Sequence, residues 1–301
     1  MPAPFFLWLL NYLKYLYISL SVIISVVQGV SVVFGAIRRR SSLTSGLVLL
    51  GVIGAAPLCA QQTLTVFAAA SLTEALGDIG RAFEQAHPGV TVRLNFAGSQ
   101  ALVTQLEQGA RADVLATADQ RWMDYAREHR LLTAAPVTFA RNRLVVVLPR
   151  SNPGRVAALQ DLARPGLKLV LAGAQVPVGA YSREALRRLN GAAGFPAGYD
   201  RRVLGNLVSE EESVRAVVAK VQLREADAGI AYVTDVTARS REALTLLQIP
   251  DPYNPVAEYP VAAVAGGQAA LAESFIALVL SAAGQRLLAA RGFLPAGSAA
   301  P

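Results

Sequence analysis

The chain has 301 residues, of which 53% are hydrophobic and 16% are charged, which is enough apolar sequence for a large core divided between two domains or lobes. Its formal net charge of +7 arises largely in the first 60 residues, which contain Lys14, Arg38, Arg39 and Arg40 and no acidic residue. Basic and acidic residues are interspersed in the remainder, with no arginine-rich face that also carries aromatic residues, which argues against nucleic-acid binding. A single cysteine, Cys59, excludes a disulfide within the chain.

Residues 37–60 have the order of a secretory signal peptide. The arginines precede an apolar stretch, residues 47–56, and Ala60 supplies a small residue at the predicted cleavage site before Gln61. A lipoprotein anchor at Cys59 is the weaker alternative, because Leu58 fits poorly in front of a lipidated cysteine. Cleavage after Ala60 leaves a mature chain without cysteine, which suits the oxidising periplasm.

Residues 1–36 form a second apolar stretch that is long enough to span a bilayer. It is either an additional membrane segment, or it is never translated because the assigned start lies upstream of the true one. We favour the second interpretation, since an apolar segment in front of a complete signal peptide has no evident use. It requires an alternative start codon, for example at Val32 or Val33, because no methionine lies between Met1 and Met123.

From Gln61 onward the pattern alternates between strand and helix, which predicts an α/β fold with parallel sheets. The apolar residues 64–68 predict a strand, after which Ser71 and Glu74 have the spacing of a capping box at a helix start. A second predicted strand, residues 90–96, leads to Ser99 in the same manner. Such transitions present backbone N–H groups and a hydroxyl at the carboxyl edge of a sheet, which is the outline of an anion site. Each serine taken alone is also typical of an ordinary helix cap.

Further elements follow in order. The pattern predicts strands at residues 113–118, 142–149, 167–172, 228–233, 244–249 and 258–264 and helices at residues 182–190, from 210–212 onward, and 275–288. Consecutive glutamates at 210–212 are interpreted as the solvated start of a helix rather than as metal ligands. His87 and His129 are predicted to be surface residues without a paired carboxylate, and Asp113 and Asp119 to be structural hydrogen-bonding groups.

An ordered set of segments resembles the periplasmic molybdate-binding proteins, which are the substrate-binding subunits of molybdate ABC transporters. The resemblance extends over residues 62–295 without large gaps. It rests on residues 65–72 (TVFAAASL), 96–99 (FAGS), 109–114 (GARADV), 118–123 (ADQRWM), 142–147 (NRLVVV), 177–179 (PVG), 213–215 (SVR), 229–232 (GIAY) and 258–261 (EYPV).

This resemblance implies a type II periplasmic-binding fold, in which two α/β lobes are joined by two crossover strands and hold a ligand in the cleft between them. Lobe 1 would comprise residues 62–141 plus 259–295, and lobe 2 residues 142–258. Closure would be a hinge motion about the crossover strands near Leu144 and Tyr259.

The resemblance also implies five ligand-binding positions: Ser71 and Ser99 from lobe 1, and Val178, Val214 and Tyr232 from lobe 2. The serines would supply hydroxyl and backbone N–H donors, the valines backbone N–H donors only, and Tyr232 its phenol. The family often has alanine where this chain has Val178, which matters little if the backbone is the donor. A tetrahedral oxyanion offers only acceptors, so a set of donors at helix N-termini suits it without a contacting lysine or arginine.

The implied function is capture of molybdate or tungstate in the periplasm and delivery to an ABC transporter permease and its ATPase. We expect a monomer without a cofactor, with molybdenum present only as the bound oxyanion and no catalytic residues. Cavity size would then select against sulfate.

Three alternatives remain at this point. The ligand could be sulfate, phosphate or an organic anion, although the lack of an arginine among the five positions argues against a carboxylate. An enzyme is weakly supported, because neither Ser71 nor Ser99 lies in a G-x-S-x-G motif. The effector domain of a transcription regulator would need a helix-turn-helix where this chain has a signal peptide.

Overall fold

The computed structural model describes residues 61–297. The predicted apolar extension, residues 1–36, and the predicted signal peptide, residues 37–60, lie outside the described residues. Within the described part, strands and helices alternate and the strands form two sheets, which confirms the predicted α/β class. Both sheets are mixed rather than parallel as predicted. The strands are β1 (Gln62–Ala69), β2 (Val90–Ala97), β3 (Val114–Ala116), β4 (Val137–Asn142), β5 (Leu144–Pro149), β6 (Leu169–Ala172), β7 (Leu207–Glu211), β8 (Ala228–Tyr232), β9 (Leu244–Gln248), β10 (Ala257–Ala263) and β11 (Leu294–Pro295).

The helices lie mostly between these strands. They are α1 (Thr73–Ala86), α2 (Ser99–Glu107), α3 (Gln120–Glu128), α4 (Pro177–Leu189), α5 (Tyr199–Leu204), α6 (Val214–Gln222), α7 (Ala238–Arg241), α8 (Ala269–Leu280) and α9 (Ala282–Ala290). Short 3-10 turns occupy Ala70–Leu72, Leu159–Ala163, Val233–Asp235 and Asp251–Tyr253.

The first sheet has the strand order β11-β4-β10-β3-β1-β2. β1 runs parallel to both β2 and β3, whereas β10 runs antiparallel to β3 and β4. Because β1 and β2 are parallel and pair from Gln62–Val90 to Ala69–Ala97, they end at the same edge of the sheet, and the turns after them lie side by side. These two turns carry Ser71 and Ser99.

The second sheet has the order β7-β6-β8-β5-β9, with β6 parallel to β7 and β8, and with β5 antiparallel to β8 and β9. Every residue of β5 is buried, as expected for a continuous apolar strand covered on both faces. The chain passes from the first sheet to the second between β4 and β5, and it returns between β9 and β10.

The passage between the sheets corrects one predicted strand. Residues 142–149 are predicted as a single strand, but Asn142 ends β4 in the first sheet and Leu144 begins β5 in the second. Arg143 lies between the two strands, and its N–H donates to the Asn142 side-chain oxygen at 2.9 Å. The apolar pattern of residues 142–149 does not show that Asn142 pairs within the first sheet whereas the strand from Leu144 pairs within the second.

Three predicted helix boundaries are also wrong. Glu210 and Glu211 are the last residues of β7, and Glu212 lies in the bend that follows. α6 begins only at Val214. The predicted helix 275–288 is two helices, because Ser281 ends α8 and its hydroxyl accepts the Gly284 N–H at the start of α9. α4 begins at Pro177 rather than at Ser182, since proline suits the first helical turn.

No single helix within residues 61–297 is long and apolar enough to cross a membrane, and one pair, α8 and α9, meets the length and composition criteria together across a bend of 62°.

Candidate functional site

A small cavity of about 10 Å³ lies between the two sheets. All five predicted ligand positions line it, namely Ser71, Ser99, Val178, Val214 and Tyr232. The other lining residues are alanines, Gly98, Val176 and Pro177, so the residues that line this cavity include no charged side chain. Its polar groups are therefore hydroxyls and backbone atoms.

Ser71 lies in the 3-10 turn Ala70–Leu72, directly after β1. The predicted capping box is wrong, because α1 has Leu72 at its N-cap position and no side-chain cap. The Ser71 hydroxyl instead lies 3.1 Å from the Tyr259 hydroxyl of β10, and Ser71 is 7% exposed. Ser71 is thus held by a distant strand rather than by its own helix.

Ser99 is the first residue of α2, with Gly98 at the N-cap position. Its hydroxyl oxygen accepts the Ala118 N–H at 3.1 Å, and the residue is fully buried. Because one lone pair of Ser99 is used by this backbone donor, its proton is available to an acceptor in the cavity. The Ser99 N–H belongs to the first turn of a helix, where the N–H groups have no acceptor within the helix.

Val178 and Val214 contribute helix starts from the other side of the cavity. Val178 follows Pro177 at the start of α4, and Val214 is the first residue of α6, whose N-cap Ser213 accepts the Ala216 N–H at 3.4 Å. Both valine side chains are buried, so the groups they can offer to a ligand are backbone N–H groups. Four helix or turn starts therefore converge on one cavity, and the positive ends of their dipoles favour an anion there.

The α4 start lies close to the end of β6. A β-carbon on Gly179 would lie 2.1 Å from the Gly173 carbonyl oxygen and 2.4 Å from that of Ala172. Only glycine permits this approach, which brings the first turn of α4 to the edge of the second sheet.

Tyr232 is the last residue of β8 and is 1% exposed. Its hydroxyl is buried and has no hydrogen-bond partner among the described residues. Burial raises the pKa of Tyr232 well above its ordinary value, so the phenol keeps its proton and can act as a donor. The Tyr232 N–H donates to the Asp235 carboxylate at 3.2 Å, which fixes the end of the strand.

Hydrogen bonds and an ion pair join the two parts of the chain. The Gln175 carbonyl oxygen accepts the Trp122 indole N–H and an Arg121 guanidinium N–H, each at 2.7 Å. Similar contacts pair Gln100 Nε2 with the Glu212 carbonyl oxygen at 2.9 Å and the Arg215 guanidinium with the Glu74 carboxylate at 2.9 Å. The two parts are therefore in direct contact at several side chains.

The polar residues outside the cavity have structural contacts. Asp113 accepts the Thr65 and Gln268 N–H groups at 2.7 Å each, and Asp119 caps α3 by accepting the Trp122 N–H, as predicted. Burial raises the pKa of Asp119 to about 6. His129 differs from the prediction, because its ring lies 3.9 Å from the Glu107 carboxylate, a contact on the exposed surface. No cluster of three metal-ligating side chains occurs in the described ranges.

Sequence reasoning missed Tyr259 and Asn142 as parts of this site. Tyr259 contacts Ser71, and Asn142 donates to the Tyr259 hydroxyl at 3.3 Å. Both residues lie in segments that carry the family resemblance, EYPV and NRLVVV, but neither side chain lines the cavity.

Two α/β sheets with a donor-lined cavity between them define a two-lobed ligand-binding protein. The family model described as bacterial extracellular solute-binding protein matches residues 64–294. The chain is 40% identical over 240 residues to the molybdate-binding protein ModA of Mycobacterium tuberculosis H37Rv, covering 79% of this chain and 87% of that protein. The chain therefore belongs to the bacterial extracellular solute-binding protein family, which confirms the predicted resemblance.

Solved structures agree on the fold. The periplasmic molybdate-binding protein of Azotobacter vinelandii matches with a TM-score of 0.65 at 20% identity, over 77% of this chain and 98% of that one. The sulfate-binding protein SubI of Mycobacterium tuberculosis matches with a TM-score of 0.69 at 17% identity, over 78% and 88% respectively. These likenesses confirm the predicted two-lobed type II fold, and they are shared by proteins named for two different oxyanions.

Proposed function

We propose that this protein binds molybdate or tungstate in the cavity between its lobes and delivers the oxyanion to an ABC transporter permease and its ATPase. The observation that carries the proposal is the convergence of Ser71, Ser99, Val178, Val214 and Tyr232 on one cavity without a charged side chain. The sequence match to ModA proteins, named as molybdate-binding, supports the choice of ligand.

The chemistry of the donors suits a tetraoxo dianion. Each hydrogen bond from a neutral donor to a charged acceptor contributes about 1.5–3 kcal/mol, so several converging bonds give tight binding after the loss of hydration. The N–H groups of four helix or turn starts spread the opposing positive charge, and no lysine or arginine is needed at contact distance.

We propose lobe 1 as residues 62–141 plus 259–295 and lobe 2 as residues 142–258, with a hinge near Leu144 and Tyr259. Two observations support this division. The chain crosses between the sheets only at the β4–β5 and β9–β10 connections of the described part, and hydrogen bonds such as Trp122 to Gln175 join the two parts around the cavity. Ligand would select the closed arrangement.

We also propose how the protein reaches the periplasm and that it is not an enzyme. Residues 37–60 act as a signal peptide, and cleavage before Gln61 releases a monomer into the periplasm. The protein has no catalytic role and no cofactor, and neither Ser71 nor Ser99 has a histidine among its hydrogen-bond partners.

The test is calorimetric titration of the mature chain from Gln61 with molybdate, tungstate, sulfate and phosphate. We expect tight one-to-one binding of molybdate and tungstate, with no heat from sulfate or phosphate. Binding of sulfate alone would keep the fold and change the ligand. Absence of binding to all four ions would contradict the transport function.

A further inference from the structure

A chain of buried hydrogen bonds leads from Ser71 away from the cavity. The Ser71 hydroxyl lies 3.1 Å from the Tyr259 hydroxyl, Asn142 Nδ2 lies 3.3 Å from the same Tyr259 oxygen, and Asn142 Nδ2 lies 2.7 Å from Thr234 Oγ1. Tyr259 is 0% exposed and Asn142 is 1% exposed, so water does not compete for these groups.

The orientation of the Asn142 amide is fixed by its own backbone neighbour. The Arg143 N–H can only donate, and it contacts the Asn142 side chain at 2.9 Å, so the atom that faces it is the acceptor Oδ1. The other amide atom, Nδ2, carries two protons and no lone pair for a hydrogen bond. Nδ2 therefore donates one proton to Thr234 and the other to Tyr259.

This arrangement fixes the direction of the hydrogen bond between Tyr259 and Ser71. The Tyr259 oxygen accepts from Asn142, and within residues 61–297 Ser71 Oγ is the other group at hydrogen-bond distance from it. If Ser71 donated to Tyr259, the phenolic proton would be buried without an acceptor, which is unfavourable. Burial also raises the pKa of Tyr259 well above its ordinary value, so this proton is retained. Tyr259 therefore donates to Ser71.

We propose that Asn142, acting through Tyr259, turns the Ser71 hydroxyl proton into the cavity, so that the site presents donors only and discriminates against anions that still carry a proton. The inference rests on the proposed oxyanion function. Ser99 is constrained in the same way, because its lone pair accepts the Ala118 N–H, and the Tyr232 hydroxyl has no partner among the described residues. A proton-free tetraoxo anion satisfies all three donors. Hydrogen phosphate brings a P–O–H group that finds no acceptor among these three hydroxyls when their protons face the anion, which leaves one buried proton unpaired.

Asn142 and Tyr259 are thus positioning residues for specificity. The test reverses the chain of hydrogen bonds with Asn142→Asp. A carboxylate at this position still accepts the Arg143 N–H, but it also accepts the Tyr259 proton, so Tyr259 accepts from Ser71. The Ser71 lone pair then faces the cavity in place of its proton.

The measurement is a competition titration of the purified protein with molybdate and hydrogen phosphate at a mildly alkaline pH, where both ions are dianions. The added charge of Asn142→Asp weakens both ions alike, so the ratio of their dissociation constants reports the hydroxyl direction. We expect the preference for molybdate over hydrogen phosphate to fall by about tenfold or more in Asn142→Asp, the equivalent of one buried hydrogen bond.

Tyr259→Phe provides a second variant in case Asn142→Asp fails to fold. It removes the donor to Ser71 without reversing it, so the preference falls by a smaller factor. Tyr199→Phe is the matched control, because the Tyr199 hydroxyl is equally buried but donates to the Leu159 carbonyl oxygen at 2.6 Å and does not line the cavity. Its preference should equal that of the unmodified protein.

An unchanged preference in folded Asn142→Asp and Tyr259→Phe would overturn the inference. If the unmodified protein binds sulfate rather than molybdate, the proposed ligand is wrong, and the ratio of sulfate to hydrogen phosphate still tests Asn142, since sulfate also carries no proton. A protein that binds none of these anions would overturn both the proposed function and this inference.

Discussion

The Ser99 hydroxyl can make two hydrogen bonds. Its oxygen accepts the Ala118 N–H, and its proton is available to a ligand. Ser99→Ala removes both interactions. We expect oxyanion binding to weaken by about 1–3 kcal/mol while the protein stays folded. Calorimetric titration measures the change, and Val214→Ala is the control because Val214 offers the ligand only its backbone. Affinity equal to that of the unmodified protein in Ser99→Ala would remove Ser99 from the site.

Tyr232 should show opposite effects on stability and binding. Its buried hydroxyl has no partner within residues 61–297, so Tyr232→Phe removes an unsatisfied donor from the ligand-free protein. We expect the free energy of unfolding without ligand to rise by about 1 kcal/mol. Oxyanion affinity should fall at the same time, because a donor to the anion is lost.

Chemical unfolding and titration with molybdate measure the two quantities for Tyr232→Phe. A fall in stability together with unchanged affinity would show that the hydroxyl has a structural partner rather than a ligand.

At the residue scale, the five cavity positions could be predicted because they lie in local segments that match a family. Tyr259 and Asn142 could not be assigned roles in this way. The Ser71–Tyr259 hydrogen bond joins residues 188 positions apart, and the Asn142–Tyr259 bond spans 117 positions. Such pairs depend on the folded topology, and nothing in either local sequence indicates them.

At the scale of elements, local patterns predicted most strands and helices, and the errors arose where long-range pairing decides. Acidic residues 210–212 suit a helix start by charge, but pairing of β7 with β6 places Glu210 and Glu211 in a strand. The apolar run 142–149 suits one strand, but Asn142 pairs with Ala257 in the first sheet and Leu144 with Tyr232 in the second. Hydrophobicity does not distinguish one buried sheet from another.

The N-cap of α3 makes the stability of the protein depend on pH. Burial raises the pKa of Asp119 to about 6 in the folded chain, whereas an unfolded aspartate has a pKa of about 3.9. Between these values the folded state binds more protons than the unfolded state, so the contribution of Asp119 to stability falls as the pH rises through this window. The difference corresponds to at most about 3 kcal/mol.

Asp119→Asn tests this dependence, because asparagine keeps the cap on the Trp122 N–H and cannot ionise. We expect the unfolding free energy of this variant to lose the decline between about pH 4 and pH 6, and to exceed that of the unmodified protein near neutral pH. Urea unfolding across this range measures it. Parallel pH profiles for the two proteins would show that Asp119 titrates normally.

At the scale of the whole molecule, the cavity exists because the two parts of the chain approach each other closely. Gly98 lies at a close approach of the two parts, since a β-carbon there would lie 2.5 Å from the Glu212 carbonyl oxygen, and 2.4 Å from the flexible Gln100 side chain. The Gly98 backbone has φ −62° and ψ 143°, which alanine adopts without strain. A substitution at this position therefore acts on the approach of the two parts and leaves the fold of each intact.

Gly98→Ala should accordingly hold the proposed lobes apart. We expect the unfolding free energy to stay near that of the unmodified protein, and oxyanion affinity to fall by about tenfold or more, because donors from opposite lobes no longer reach one ligand together. Gly77→Ala is the matched control, because a β-carbon there meets only Arg81 at 3.8 Å, an ordinary contact within α1.

The fluorescence of Trp122 measures the motion, because its indole N–H donates to the Gln175 carbonyl oxygen in the other part of the chain, and it is the only tryptophan after residue 60. Molybdate should change the fluorescence of the mature protein and of Gly77→Ala, and should change that of Gly98→Ala much less. Small-angle scattering supplies an independent measure, since closure reduces the radius of gyration. Full affinity together with a full fluorescence change in Gly98→Ala would show that ligand binding does not require this approach, and that the anion is held by the donors of one lobe.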